Sequence, residues 1–141
     1  MLSKRLDNVS PSVTVGISSK VKEMRANGID VISLSIGEPD FNVPERAKEY
    51  GKKSLDDNKT KYDFPAGILE LRQEICKKLK KENNIDYSPD QIVLSSGAKN
   101  SITNVLLVTT DPGSEVLLPL PYWVSYSEMV KVVNAVPVEV K

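Results

Sequence analysis

The sequence predicts an α/β fold, an incomplete and mostly parallel sheet flanked by helices, and three observations carry that expectation. From Pro89 onward, strand-like and helix-like stretches alternate: Gln91 to Ser95, Gly97 to Thr109, Glu115 to Pro119, Trp123 to Val132 and Val136 to Val140. Alternation of this kind is the pattern of parallel strands joined by crossover helices. Ahead of it lie stretches with apolar residues at helical spacing. The pattern then ends on a strand with Lys141 after it, although a parallel sheet needs cover on both faces. The expectation is a chain cut short, without internal repeats, low-complexity segments or linkers.

In order, Ser10-Pro11 offers an N-cap followed by proline at the first helical position, and Val13, Ile17, Val21 and Met24 recur until Asn27-Gly28. Val31 to Leu34 is a short apolar, β-branched run, ended by Gly37-Glu38-Pro39-Asp40, where glycine and proline force a turn or loop. A second helix starts near Pro44 and runs to about Leu55. Asp56 to Pro65 is polar and irregular, with Tyr62 and Phe64 exposed on a loop, where aromatics point to function more than they do in a core. Ile68, Leu71, Ile75 and Leu79 mark a third helix, finishing in Lys77-Lys78-Leu79-Lys80-Lys81, a basic last turn that suits the helix dipole and forms a solvated face. Asp111-Pro112-Gly113 makes the turn between the following helix and the next strand.

With 141 residues, 40% hydrophobic and 27% charged, the chain is long enough for one domain with a real core. Lysine and arginine number 19 against 19 acidic residues, so nothing attracts nucleic acid electrostatically. No apolar run approaches the roughly 20 residues that span a bilayer, and no apolar stretch follows the N-terminal Met1 to Arg5. A cytoplasmic location is expected. The single cysteine, Cys76, lies in a helical pattern and reads as a half-buried thiol. The chain has no histidine, which excludes Ser-His-Asp and Cys-His catalytic sets and histidine-ligated metals within it. No metal site is expected, and difficult chemistry falls to an organic cofactor.

Ile92-Val93-Leu94 leads into Ser95-Ser96-Gly97-Ala98-Lys99 and then a helix. A helix N-terminus presents backbone N–H groups and partial positive charge, serines add hydroxyl donors, and glycine lacks the Cβ that would keep an anion away. The chemistry is that of a phosphate cradle, although a plain strand-to-helix connection has the same outline. Neither GxxxxGK[ST] nor GxGxxG occurs, which disfavours a nucleotide-binding protein.

Five segments, in order, resemble the class I and II aminotransferases of the aspartate aminotransferase fold type, which use pyridoxal 5'-phosphate (PLP). They are Ser35-Ile36-Gly37-Glu38-Pro39-Asp40-Phe41; Lys61-Tyr62-Asp63-Phe64-Pro65-Ala66-Gly67-Ile68-Leu69-Glu70-Leu71-Arg72; Ser95-Ser96-Gly97-Ala98-Lys99; Asp111-Pro112-Gly113-Ser114-Glu115-Val116; and Pro121-Tyr122-Trp123. The resemblance spans essentially the whole chain and is similar above all to the bacterial aspartate aminotransferase branch. It implies the N-terminal portion of the PLP-dependent transferase fold type I. Residues 1–43 would form an N-terminal arm and small-domain segment, and residues 44–141 the first part of the large PLP-binding domain.

The same resemblance implies roles residue by residue. Gly97, Ala98 and Lys99 match the turn that holds the cofactor phosphate through backbone N–H groups. Trp123 matches the aromatic that stacks on the pyridine ring beside the substrate, where a flat electron-poor ring gains from a parallel π-face. A partly buried core tryptophan is the plainer reading. Tyr62 matches the tyrosine that reaches across a homodimer interface to the partner's phosphate, although taken alone it is an ordinary surface tyrosine. Gly37 matches the backbone beside the substrate carboxylate, or is a simple turn glycine.

The family's Schiff-base lysine, the aspartate on the pyridine nitrogen and the arginines that bind substrate carboxylates all fall outside the matched portion, and Lys99 matches the phosphate turn instead. No catalytic residue is therefore expected in this chain. The complete enzyme would transfer an amino group between an amino acid, aspartate first, and a 2-oxo acid, while these residues alone would be inactive and prone to association through uncovered apolar faces. The alternative is a non-catalytic module for binding a phosphorylated ligand or for subunit assembly.

Overall fold

The computed structural model describes residues 3–141. Its elements are a 3-10 turn at Lys4–Leu6, α1 (Val13–Ala26), α2 (Glu45–Asp56), α3 (Leu69–Lys78), a 3-10 turn at Pro89–Gln91, α4 (Ala98–Thr109), β1 (Glu115–Pro119), α5 (Ser125–Val132) and β2 (Val136–Val140). The α/β class holds. β1 and β2 pair in parallel with Glu115 opposite Val136 and Pro119 opposite Val140, and α5 is the crossover between them.

The chain forms two compact units. One joins the residues up to Asp40 with Ile102–Lys141. Its core is Leu106 of α4, Met129 and Val130 of α5, and Val133 and Ala135 after it, with Ile102, Val116 and Tyr126 half-buried around them. In β1, Leu118 is buried while Leu117 is 64% exposed. The run Val116-Leu117-Leu118, apolar throughout, thus has one face covered and one open among the described residues. Backbone bonds extend the ladder at both ends, from Val136 N–H to Ser114 and from Leu120 N–H to Val140, each 2.8 Å.

The other unit, Phe41–Ser101, holds α2 and α3. Arg72 is its one buried residue of charged type among those described, and it takes the place of an apolar centre. Its Nε donates to the Gly67 carbonyl at 3.0 Å and Nη1 to the Pro89 carbonyl at 2.9 Å, so one guanidinium ties the start of α3 to the Pro89–Gln91 turn. Beside it, Leu94 N–H donates to the Ala66 carbonyl at 2.9 Å. Gly67 has φ +96°, and a Cβ there would lie 2.5 Å from Leu94 Cδ1, so glycine is required on both backbone and packing grounds.

Several expectations are corrected. Ser12, not Ser10, caps α1, its Oγ accepting the Val15 N–H at 3.4 Å, because the chain turns helical only at Val13. The runs Val31 to Leu34 and Ile92 to Ser95 form no ladder. Gln91 closes a 3-10 turn, and among the described residues the one backbone bond from the second run to a distant segment is that of Leu94 to Ala66. β propensity needs a neighbouring strand to become a strand, and neither run has one here. The third helix ends at Lys78 and widens into a π turn over Leu79–Asn83, closed by Asn84 at φ +55°. α5 starts at Ser125 rather than Trp123. The lysine run is solvated as expected, with Lys77, Lys78 and Lys80 paired to Glu74, Glu82 and Asp86.

Candidate cofactor site

The Gly97 turn forms because the chain must reverse from the extended Ile92 to Ser95 stretch into α4. Gly97 sits at φ +84°, in the left-handed region, and its N–H donates to the Ser95 carbonyl at 2.9 Å. Its carbonyl receives the first bond of α4, from Ser101 N–H at 3.1 Å, and a second from Ser101 Oγ at 3.3 Å. Ala98 opens the helix ahead of that bond, with Lys99 next in the same turn. The first turn contains no acidic side chain that would neutralise the positive end of the helix dipole. Apart from its chain neighbours, no atom lies within 4 Å of where a Gly97 Cβ would stand, so the space on that side of the turn is open. These features fit an anion of phosphate size.

Trp123 lies in the turn that leads into α5 and accepts the Tyr126 N–H on its carbonyl at 2.9 Å. Trp123 is 54% exposed, so it is not enclosed in the core of the described residues. Tyr122 anchors the loop: its hydroxyl donates to Glu139 Oε1 of β2 at 2.6 Å, and that carboxylate, chiefly through the hydrogen bond, raises the phenol pKa above its ordinary value. Sequence reasoning gave Tyr122 no role. Its place between Pro121 and Trp123 was the available signal, but Glu139 becomes its partner only through the β1–β2 pairing.

Tyr62 is fully exposed and lines an open cleft of about 910 Å³ with Tyr50, Lys53, Lys61 and Leu71. Gly37 has an ordinary φ, and nothing lies within 4 Å of its Cβ position. The backbone therefore does not demand glycine there, while the open space suits a bound group. Gly97, Ala98, Lys99 and Tyr62 belong to the Phe41–Ser101 unit, Gly37 and Trp123 to the other. Arg72 and Gly67, which steer the approach to Gly97 through Leu94, were legible as motif letters but not as supports of the turn. Among the described residues no group of three histidine, cysteine or acidic side chains could hold a metal ion. Nor is any helix among them long and apolar enough to cross a membrane.

PLP carries a phosphate, and the Gly97 turn, an open glycine turn at a helix N-terminus, fits that anion; Trp123, in the other unit and taken by itself, is a half-exposed indole of the kind that can stack on a flat ring.

Comparison with known proteins follows the same lines. A family model described as aminotransferase class I and II matches residues 29–141. A probable aspartate/prephenate aminotransferase of Aquifex aeolicus is 48% identical over 139 residues, covering 99% of this chain and 35% of that protein. An aspartate aminotransferase of Bacillus subtilis is 42% identical over 140 residues, covering 99% and 36% respectively. Among solved structures, the aspartate aminotransferase from Thermus thermophilus with maleate superimposes with TM-score 0.95 at 42% identity, over 99% of this chain and 37% of that one. The aspartate aminotransferase from Rhizobium meliloti gives TM-score 0.92 at 34% identity, over 99% and 35%. The chain thus spans about a third of the length of the curated relatives it matches.

Proposed function

The chain belongs to the aminotransferase class I and II family, and from that premise we propose that it is the N-terminal part of a PLP-dependent aminotransferase that moves an amino group between aspartate and a 2-oxo acid. The observation that carries the reading is the Gly97 turn: a left-handed glycine with open space in front of it, at the head of α4, in a chain of this family. When bound, PLP supplies an electron sink for the charge left at the amino acid's Cα.

This chain's residues bind and orient. The backbone of Gly97, Ala98 and Lys99 holds the phosphate, with the α4 dipole favouring the anion. Trp123 would stack on the pyridine ring beside the substrate, its flat π-face matching an electron-poor ring. Gly37 leaves room for the substrate carboxylate. Tyr62 donates its hydroxyl to the phosphate of a second subunit, so the working form is a homodimer; its full exposure here leaves the hydroxyl free of packing by its own chain. Residues 1–43 serve as arm and small-domain segment, and residues 44–141 as the first part of the large domain. The proton-moving lysine lies outside residues 1–141, so the isolated chain is inactive, and the whole enzyme works in the cytoplasm. Prephenate, named in the relatives from Aquifex aeolicus and Thermus aquaticus, is the acceptor to test beside simple 2-oxo acids.

The test is amino transfer from aspartate to 2-oxoglutarate or prephenate by the full gene product supplied with PLP. Turnover with either acceptor supports the reading. PLP binding with no transfer from any amino acid would return the chain to a binding or assembly role.

A further inference from the structure

The segment that leads into α1 is fastened to α5 by one carboxylate. Glu128 Oε2 accepts the Ser10 N–H at 2.7 Å across 118 residues of sequence, and Oε1 accepts Lys131 Nζ at 2.8 Å. The Lys4–Leu6 turn packs on the same helix. Lys4, Arg5 and Asn8 from the segment line a crevice of about 290 Å³ with Lys131 and Asn134. Glu128 is 24% exposed, so the bond from Ser10 is partly shielded from water.

A neutral acceptor would compete poorly with solvent for a backbone N–H in an otherwise exposed stretch. An ionised carboxylate makes the bond charge-assisted and about twice as strong. Lys131 and then the Ser10 N–H hold the Glu128 carboxyl below the usual glutamate range. The other charged groups on elements packed against α5 are Lys4 and Arg5 of the N-terminal turn with Asp7 just after it, Glu115 on β1, and Glu139 on β2, which is taken by Tyr122.

We propose that Glu128 is a positioning residue whose ionised carboxylate clasps residues 4–12 onto α5, fixing where α1 begins relative to the Trp123 loop that opens α5. The link is direct: Ser12 caps α1 two residues beyond the clasp, and the Trp123 carbonyl accepts the first-turn Tyr126 N–H of α5. Because the folded pKa is lowered, the clasp is complete above the ordinary glutamate range. It is lost as pH falls through the lowered value.

The experiment is hydrogen–deuterium exchange on the full gene product, corrected for intrinsic chemical rates, between about pH 8 and about pH 2, a range that reaches below the usual glutamate values. Near neutral pH, Glu128→Ala exchanges the Ser10 peptide about tenfold faster than wild type, with α4 and β2 peptides unchanged within about twofold. Glu128→Gln keeps an acceptor oxygen, retains part of the protection and loses its pH dependence. Ser10→Pro, which deletes the donor without touching α5, releases the start of α1 as Glu128→Ala does. Equal exchange of the Ser10 peptide in wild type and Glu128→Ala overturns the clasp, as does loosening of α5 to the same extent as the segment. If Glu128→Ala does not fold, the wild-type profile decides: protection of Ser10 that stays flat down to the acid end of that range, while α4 and β2 peptides remain protected, refutes it. This readout does not depend on amino transfer, so it fails or succeeds separately from the proposed activity.

Discussion

Replacing Gly67 with alanine should damage the support of the Gly97 turn more than any surface change in the same unit. Two terms add. At φ +96° an L side chain is strained by roughly 1–2 kcal/mol. The new Cβ would also stand 2.5, 2.7 and 2.8 Å from Leu94 Cδ1, Cγ and Cβ. Relieving overlap of that kind in a packed site costs about 1–3 kcal/mol. The sum is about 3 kcal/mol, and the nearest casualty is the Leu94 N–H to Ala66 bond that sets the path into Ser95 and Gly97. The assay is native-state hydrogen exchange of the α3 and Leu94 amides in the full gene product, with Gly67→Ala, Leu94→Ala and the double variant. Leu94→Ala removes the Cγ and Cδ1 contacts and leaves Cβ, so the double variant should recover about 1 kcal/mol relative to additivity. A loss under about 1 kcal/mol for Gly67→Ala, or strict additivity, would refute the packing argument.

Arg72→Met keeps the volume but takes the Arg72 donor from the Gly67 carbonyl and one of two donors from the Pro89 carbonyl, which keeps the Ile92 N–H, and should lower the opening free energy of α3 by about 2 kcal/mol in the same measurement. Arg72→Lys, a single point donor, should fall between the two. Trp123→Leu should weaken PLP binding about tenfold by cofactor titration while leaving the thermal midpoint nearly unchanged, since the indole is half exposed; unchanged affinity would count against stacking. Tyr62→Phe should alter the stability of its own subunit by less than about 0.5 kcal/mol, because its ring is fully exposed. In the proposed homodimer it should still weaken phosphate affinity, and a large stability loss in the monomeric state would contradict that assignment.

Elements with their own local signals were legible. α1, α2 and the β1–α5–β2 crossover follow from apolar spacing, turn residues and strand-length apolar runs, all encoded within a few residues of where they act. Failures came where pairing partners decide the outcome. Val31 to Leu34 and Ile92 to Ser95 have the composition of strands and no ladder, because a strand is a relation between two segments rather than a property of one. The α3 terminus slipped for a smaller reason: helical spacing continues through Lys81, and only the left-handed Asn84 ends the run.

By itself the sequence determined the family, the α/β class and the chemistry available to the Gly97 turn, since glycine, serine and a helix start carry those properties wherever they are placed. Tertiary structure alone decided that Arg72 replaces an apolar centre, that Tyr122 finds Glu139 across 17 residues, and that Glu128 reaches Ser10 across 118. Hydrogen bonds of that span depend on the path of the whole chain between the partners, and no local pattern of residue types records that path.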